Sequence, residues 1–287
     1  MTKVKIIECP RDAMQGIKPF IPTERKIAYI QSLLRVGFDT IDFGSFVSPK
    51  AIPQMQDTAE VLAGLDLSKT TSKLLAIVAN TQGAQTASQY EPIRYLGFPF
   101  SISENFQMRN THKTIAESLV TLQEILEIAH RSEKETVAYL SMGFGNPYGD
   151  PWNVEIVGEW TEKLAGMGVS ILSLSDTIGS STPDVINYLF SNLIPKYPNI
   201  EFGAHLHTTP EKWFEKVDAA YKAGCTRFDG AIQGFGGCPM AKDDLTGNMP
   251  TEKLLSYFTA QNADTQTNPM SFESAYNEAL KLFTEFH

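Results

Sequence analysis

Short β-like runs alternate with longer segments of helical period about eight times along the 287 residues, and few architectures accept that order. Strand side chains repeat every two residues and helical ones every 3.6, which separates the two kinds of segment. The strand runs fall at 4–9, 40–43, 73–78, 95–100, 136–141, 170–174, 200–205 and 227–232. The clearest helical segments are 22–35, 112–131, 154–167, 183–193, 210–222 and 251–261. Pro183 and Pro210 each follow a threonine, which predicts a threonine cap with proline in the first helical turn. Gly37, Gly168 and Gly224 stand where helices should stop. A last segment, 270–287, carries Ala275, Ala279, Leu280, Leu282 and Phe283 at helical spacing and is expected to pack outside the main body.

Two folds accommodate this alternation: a (β/α)8 TIM barrel and an open doubly wound sheet. The polar residues favour the barrel. Arg11-Asp12, Asp42 to Ser45, Asp176-Thr177 and the pair His205/His207 lie at or just beyond the C-terminal ends of different strands, the rim where barrel enzymes build their sites. No G-x-G-x-x-G loop opens the first βα unit. The expected architecture is one TIM-barrel domain over 1–287 with an added C-terminal helix.

The balance of 24 Lys+Arg against 33 Asp+Glu, net −9, shows no basic face of the kind nucleic acid requires. No stretch approaches the roughly 20 apolar residues of a membrane span, and the first residues run straight into a strand with no signal-peptide pattern. A soluble, cytoplasmic protein is expected, without nucleic-acid or membrane partners. Three cysteines with no C-x-x-C pair are read as reduced thiols. Cys9 and Cys225 have apolar surroundings, whereas Cys238 follows Gly234-Phe235-Gly236-Gly237 and looks exposed.

Residues two apart on a strand share a face, so His205 and His207 can bind one ion together. A satisfied polar pair at a barrel mouth is an equally good reading of the spacing alone. Adding Asp12 and Asn248 gives one carboxylate, two imidazoles and an amide carbonyl. That donor set suits Mg²⁺ or Mn²⁺ better than zinc.

The pieces Pro10-Arg11-Asp12 with Gln15, Ser45-Phe46-Val47-Ser48-Pro49-Lys50 with Pro53-Gln54-Met55, and Asp176-Thr177-Ile178-Gly179 run on in unbroken order. They continue with His205-x-His207, Gly236-Gly237-Cys238-Pro239, Gly247-Asn248 and Thr251-Glu252. Together they resemble the 3-hydroxy-3-methylglutaryl-CoA lyase family, metal-dependent TIM-barrel enzymes related to the isopropylmalate and homocitrate synthases. The Arg-Asp and His-x-His pieces are common to that wider group, whereas the Ser-Phe-Val-Ser-Pro-Lys block and the loop ending in Cys238 resemble the lyase branch.

The resemblance implies a retro-Claisen cleavage of 3-hydroxy-3-methylglutaryl-CoA to acetoacetate and acetyl-CoA, and together with the apolar C-terminal segment it makes a homodimer the expectation. It implies Asp12, His205, His207 and Asn248 as ligands to a divalent cation. Arg11 would stabilise the enolate, since a guanidinium keeps its proton. Asp42 is the candidate base, and Cys238 or His205 the candidate acid. Gln15, Lys18, Ser45, Lys50, Asp176 and Thr177 are expected to bind substrate or support these groups. Each has a plain rival: Asp176 a loop-organising carboxylate, Asn248 a turn residue, Lys18 and Lys50 surface lysines.

Four departures from the family pattern fall near the chemistry. Ala13 replaces a glycine, Ile7 stands where a glutamate is usual with Glu8 one place later, Asp42 is a shortened glutamate, and Thr208 replaces an aspartate. They motivate a second reading, a lyase or aldolase for another 3-hydroxy acid or acyl-CoA. A metal-binding barrel without catalysis is a third, and retention of Arg11 and Cys238 argues against it.

Overall fold

The strands β1 (Lys5–Glu8), β2 (Thr40–Ser45), β3 (Lys73–Ile77), β4 (Ile93–Ser101), β5 (Glu135–Ser141), β6 (Ile171–Asp176), β7 (Glu201–Thr208) and β8 (Arg227–Gly230) each pair in parallel with the next. Pairing of β8 with β1 closes the barrel. These elements come from a computed structural model that describes residues 1–237 and 246–286. A ninth strand, β9 (Gly247–Asn248), runs antiparallel to the end of β7. The helices are α1 (Pro10–Gln15), α2 (Thr23–Leu34), α3 (Thr58–Ala63), α4 (Thr81–Ser88), α5 (Glu104–Thr111), α6 (Ile115–Arg131), α7 (Val154–Gly166), α8 (Pro183–Lys196), α9 (Trp213–Lys222), α10 (Thr251–Ala260) and α11 (Pro269–Phe286).

Alternation along the strands sorts the core into two layers. Leu75, Ile77, Tyr95, Val137, Tyr139 and Ile171 fill the barrel interior. Their alternate neighbours, such as Leu74, Ala76, Leu96, Ala138 and Leu172, face the helices in one cluster that runs from Val4 to Phe283. The interior leaves no room at Gly97, where a Cβ would stand 2.6 Å from Ile77 Cδ1 and 2.9 Å from Leu75 Cδ2. Among the described residues no helix is long and apolar enough to cross a membrane.

Several boundaries differ from the sequence reading. The segment 112–131 does not begin as a helix: His112 is left-handed (φ 56°) and α6 starts after Thr114, which forms a capping box with Glu117. The helix expected from Pro210 starts at Trp213, with Lys212 and not Thr209 at the N-cap position and no side-chain cap. Thr182 does cap α8 as expected, accepting from Val185 N. β8 stops at Gly230, and 232–234 form a 3-10 turn with Gln233 at φ 59°. Helices α1, α3, α4 and α5 escaped the sequence reading, being only 6 to 8 residues long, about two turns each, in which periodicity is hard to see.

The C-terminal helix α11 packs outside the barrel on α2. Tyr29 meets Phe283 edge-on with ring centroids 5.8 Å apart. The far side of Phe283 stacks on Phe235 at 4.1 Å, and Gln233 Nε2 donates to Tyr276 Oη (2.6 Å). α11 therefore braces the loop that leaves β8. Ala275, Ala279, Leu282 and Phe283 are buried within the same chain, so this face is not the dimer surface that its apolar spacing offered.

Candidate active site

Pro10 opens α1 directly after β1, where a missing N–H costs nothing, and the first turn then presents Arg11 and Asp12 to the barrel mouth. Both side chains are about nine-tenths buried. Asp42, inside β2, accepts from Arg11 Nε at 3.2 and 3.1 Å and from Nη2 at 2.5 Å. The other arm, Nη1, reaches Asp12 Oδ1 (2.8 Å) and Gln15 Oε1 (3.1 Å). Gln15 Nε2 closes the ring by donating to Asp12 Oδ1 (2.7 Å). Three-point fixing of this kind gives a guanidinium a set direction.

β7 continues to Thr208, beyond the expected end, which keeps His207 in the strand and opposite Asn248 of β9. Ligand atoms of Asp12, His205 and His207 all lie within 4.8 Å of one another. Asn248 Nδ2 donates to Asp12 Oδ2 (2.8 Å) and to Phe235 O (2.8 Å), so a ligand role for this amide falls to Oδ1. His205 Nδ1 lies 3.0 Å from Asp229 Oδ2. A carboxylate on one ring nitrogen fixes the ring and leaves the other for an ion.

His207 is 4% exposed, yet neither ring nitrogen has a hydrogen-bond partner. Buried imidazole nitrogens are ordinarily satisfied, and here they lie beside a carboxylate and a second imidazole. The donor set therefore fits a divalent cation.

The charge state of His207 agrees with that fit. Burial, then the nearby His205, brings His207 down to about 4, which keeps the ring neutral and able to ligate. Burial opposes the charge on His205, but Asp229 outweighs it and raises the pKa. For Asp12 burial is again the largest influence; Arg11, His205, His207 and the Asn248 amide overcome it and hold the carboxyl below its usual range. Burial lifts Asp42 to about 6 against the opposing pull of Arg11.

The remaining expected residues divide. Asp176 is buried, accepting from Ser181 N and from Lys216 Nζ (2.8 Å). Thr177 Oγ1 accepts from Met142 N (2.8 Å), which ties the loop after β6 to the end of β5. Ser45 is buried at the end of β2, its Oγ without a protein partner. Lys18 and Lys50 are exposed and make no ion pair among the described residues. Cys238 lies outside the described residues. The sequence reading missed Asp229 and Lys216. A carboxylate alternating with Arg227 in an apolar strand was the available signal for Asp229.

The HMGL-like family model matches residues 3–277. The chain belongs to this family. A hydroxymethylglutaryl-CoA lyase from Bacillus subtilis (strain 168) is 35% identical over 267 residues, covering 93% of this chain and 88% of the relative. The crystal structure of the HMG-CoA lyase from Brucella melitensis has TM-score 0.91 at 30% identity, over 98% of this chain and 99% of that one. An HMG-CoA lyase from Acinetobacter baumannii in complex with coenzyme A and 3-methylmalate has TM-score 0.88 at 28% identity, over 98% and 91%.

As a member of the HMGL-like family the chain shows how its departures are absorbed. Asp42, though short, still engages Arg11 through both oxygens. Ala13 packs under the loop after β8, where a Cβ on Gly236 (φ 82°) would stand 2.6 Å from Asp12 O and 2.9 Å from Ala13 Cα. Ile7 is buried, and Glu8 turns to Ile232 N (3.0 Å) and Thr251 Oγ1 (2.6 Å). The Thr208 hydroxyl, at the end of β7, bonds to Thr209 O and supports neither histidine.

Proposed function

We propose that this chain is a divalent-metal-dependent carbon-carbon lyase that cleaves 3-hydroxy-3-methylglutaryl-CoA to acetoacetate and acetyl-CoA, as one catalytic domain over 1–287 that acts as a cytoplasmic homodimer. The observation that carries it is the fixed Arg11 guanidinium sharing Asp12 with the two histidines. Metal binding alone has no use for such a cation; a thioester that becomes an enolate has.

Asp12, His205 through Nε2, His207 and Asn248 through Oδ1 would hold Mg²⁺ or Mn²⁺. When bound, the ion acidifies a hydroxyl that it touches and fixes its position. Asp42 orients Arg11 and, with a carboxyl lifted to about 6, takes the proton of the tertiary hydroxyl. The hydroxyl oxygen becomes the ketone of acetoacetate as the bond to the thioester's α-carbon breaks. That electron pair enters the enolate of acetyl-CoA, whose oxygen faces Arg11. A proton from Cys238 to the enolate carbon completes acetyl-CoA. Gln15 keeps Arg11 and Asp12 in register, Ser45 and Thr177 line the mouth, and Lys18 and Lys50 meet the acidic CoA.

The test is acetoacetate release by the purified protein with Mn²⁺, with Mg²⁺ and with EDTA. We expect release that EDTA abolishes and that Arg11→Met lowers by about 100-fold or more in kcat with the ion still bound. Protein that binds Mn²⁺ but releases acetoacetate from no sample, while cleaving another 3-hydroxyacyl thioester, would replace this substrate with that one. The shortened Asp42 is the observation that favours such an alternative.

A further inference from the structure

Lys216 takes no part in the chemistry above, yet its side chain is 1% exposed and its ammonium lies against the rim. A buried ammonium is costly unless each of its three donors is met. Nζ donates to Asp176 Oδ2 (2.8 Å), to Gly179 O (3.0 Å) and to His207 O (2.8 Å). These acceptors belong to three segments: the end of β6, the loop that follows it, and the end of β7. The lysine itself comes from α9, so one side chain closes the β6–β7 seam where Asp176 pairs with Leu206. Asp176 is held from its other side by the backbone N and hydroxyl of Ser181.

The two histidines are oriented differently. Asp229 grips the His205 ring directly. The His207 ring packs against that of His205 (centroids 5.3 Å) but has no hydrogen-bond partner, so the only hydrogen bonds that bear on its direction are those of its own backbone. Two attachments set that backbone at the rim: the β9 pairing opposite Asn248 and the Lys216 bond to its carbonyl.

We infer that Lys216 is a positioning residue for the metal site, its ammonium clamping the His207 carbonyl to Asp176 and so setting where the His207 ring stands. This rests on the reading that Asp12, His205 and His207 hold a divalent ion. A purely structural lysine would lower thermal stability and leave ion affinity alone; a clamp on a ligand changes affinity.

The experiment is calorimetric titration of the full chain with Mn²⁺ alone, at a temperature where circular dichroism shows every variant folded. Lys216→Met should weaken Mn²⁺ binding by about 10- to 100-fold, the range for loss of a group that orients a ligand, and excess Mn²⁺ should restore turnover. If the single variant does not fold, Lys216→Met with Asp176→Asn leaves no unpaired buried charge and should show the same loss. Unchanged affinity in the folded variant, beside loss of binding in His207→Ala, overturns the clamp and leaves the metal site standing. Unchanged affinity in His207→Ala overturns the metal reading, and the clamp with it.

Discussion

Glu8 lies at the end of β1 with no exposed surface, accepting from Ile232 N and Thr251 Oγ1. Burial lifts its pKa from 4.5 to about 8, with Thr251 and Ile232 pulling the other way. The folded state therefore binds a proton that the unfolded chain releases near 4.5. Its contribution to stability is present in full below that pH and is lost as pH rises through about 8. Glu8→Gln keeps an acceptor for Ile232 N, can bond Thr251 Oγ1 by donating to it instead of accepting, and cannot ionise. Unfolding free energies from urea titrations at pH 5, 6.5 and 8 should fall with pH more steeply in the natural protein than in Glu8→Gln, by on the order of a few kcal/mol across the range. Parallel slopes would show that Glu8 is not the titrating group. At the same scale the rim residues proposed as ligands were legible and the groups that contact them were not. His205-x-His207 and Arg11-Asp12 announce themselves because strand spacing and adjacency are local properties. Asp229 and Lys216 act through contacts 24 and 40 residues away in sequence, which no local pattern encodes.

At the scale of elements, helix ends carried the errors. The expected helix took in 112–131, yet the side-chain chemistry of Thr114 and Glu117 sets the start at Ile115. Thr114 Oγ1 accepts from Glu117 N (3.1 Å), and Glu117 Oε2 accepts from Thr114 N (2.8 Å). Thr114→Ala should cost about 1 kcal/mol in a urea titration and Thr114→Ser little; no loss in the alanine variant would mean that the box does not form in solution. The strand runs were more faithful, because period two survives in runs of 4 to 9 residues. β7 proved longer than its apolar run because pairing with Gly247 and Asn248 of β9, far downstream, carries it through His207 to Thr208, and periodicity cannot see such a partner.

For the whole molecule, the eight parallel strands, their closure by β8 on β1 and the helix on the outside follow the alternation read from the chain. The homodimer expectation now rests on the family resemblance, since the apolar face of α11 covers α2 and not a partner. Light scattering should return close to twice the 31.8 kDa of one chain, and a mass of one chain would end that expectation. Sequence alone determined the order of elements, the parity that sends alternate residues inward, and which residues reach the rim, because each follows from local period and hydrophobic burial. Only the tertiary structure decided which rim groups meet. The ring of Arg11, Asp42, Asp12 and Gln15, the bare nitrogens of His207 and the Lys216 clamp exist because barrel closure brings distant strand ends to one mouth, where burial turns contact into charge state.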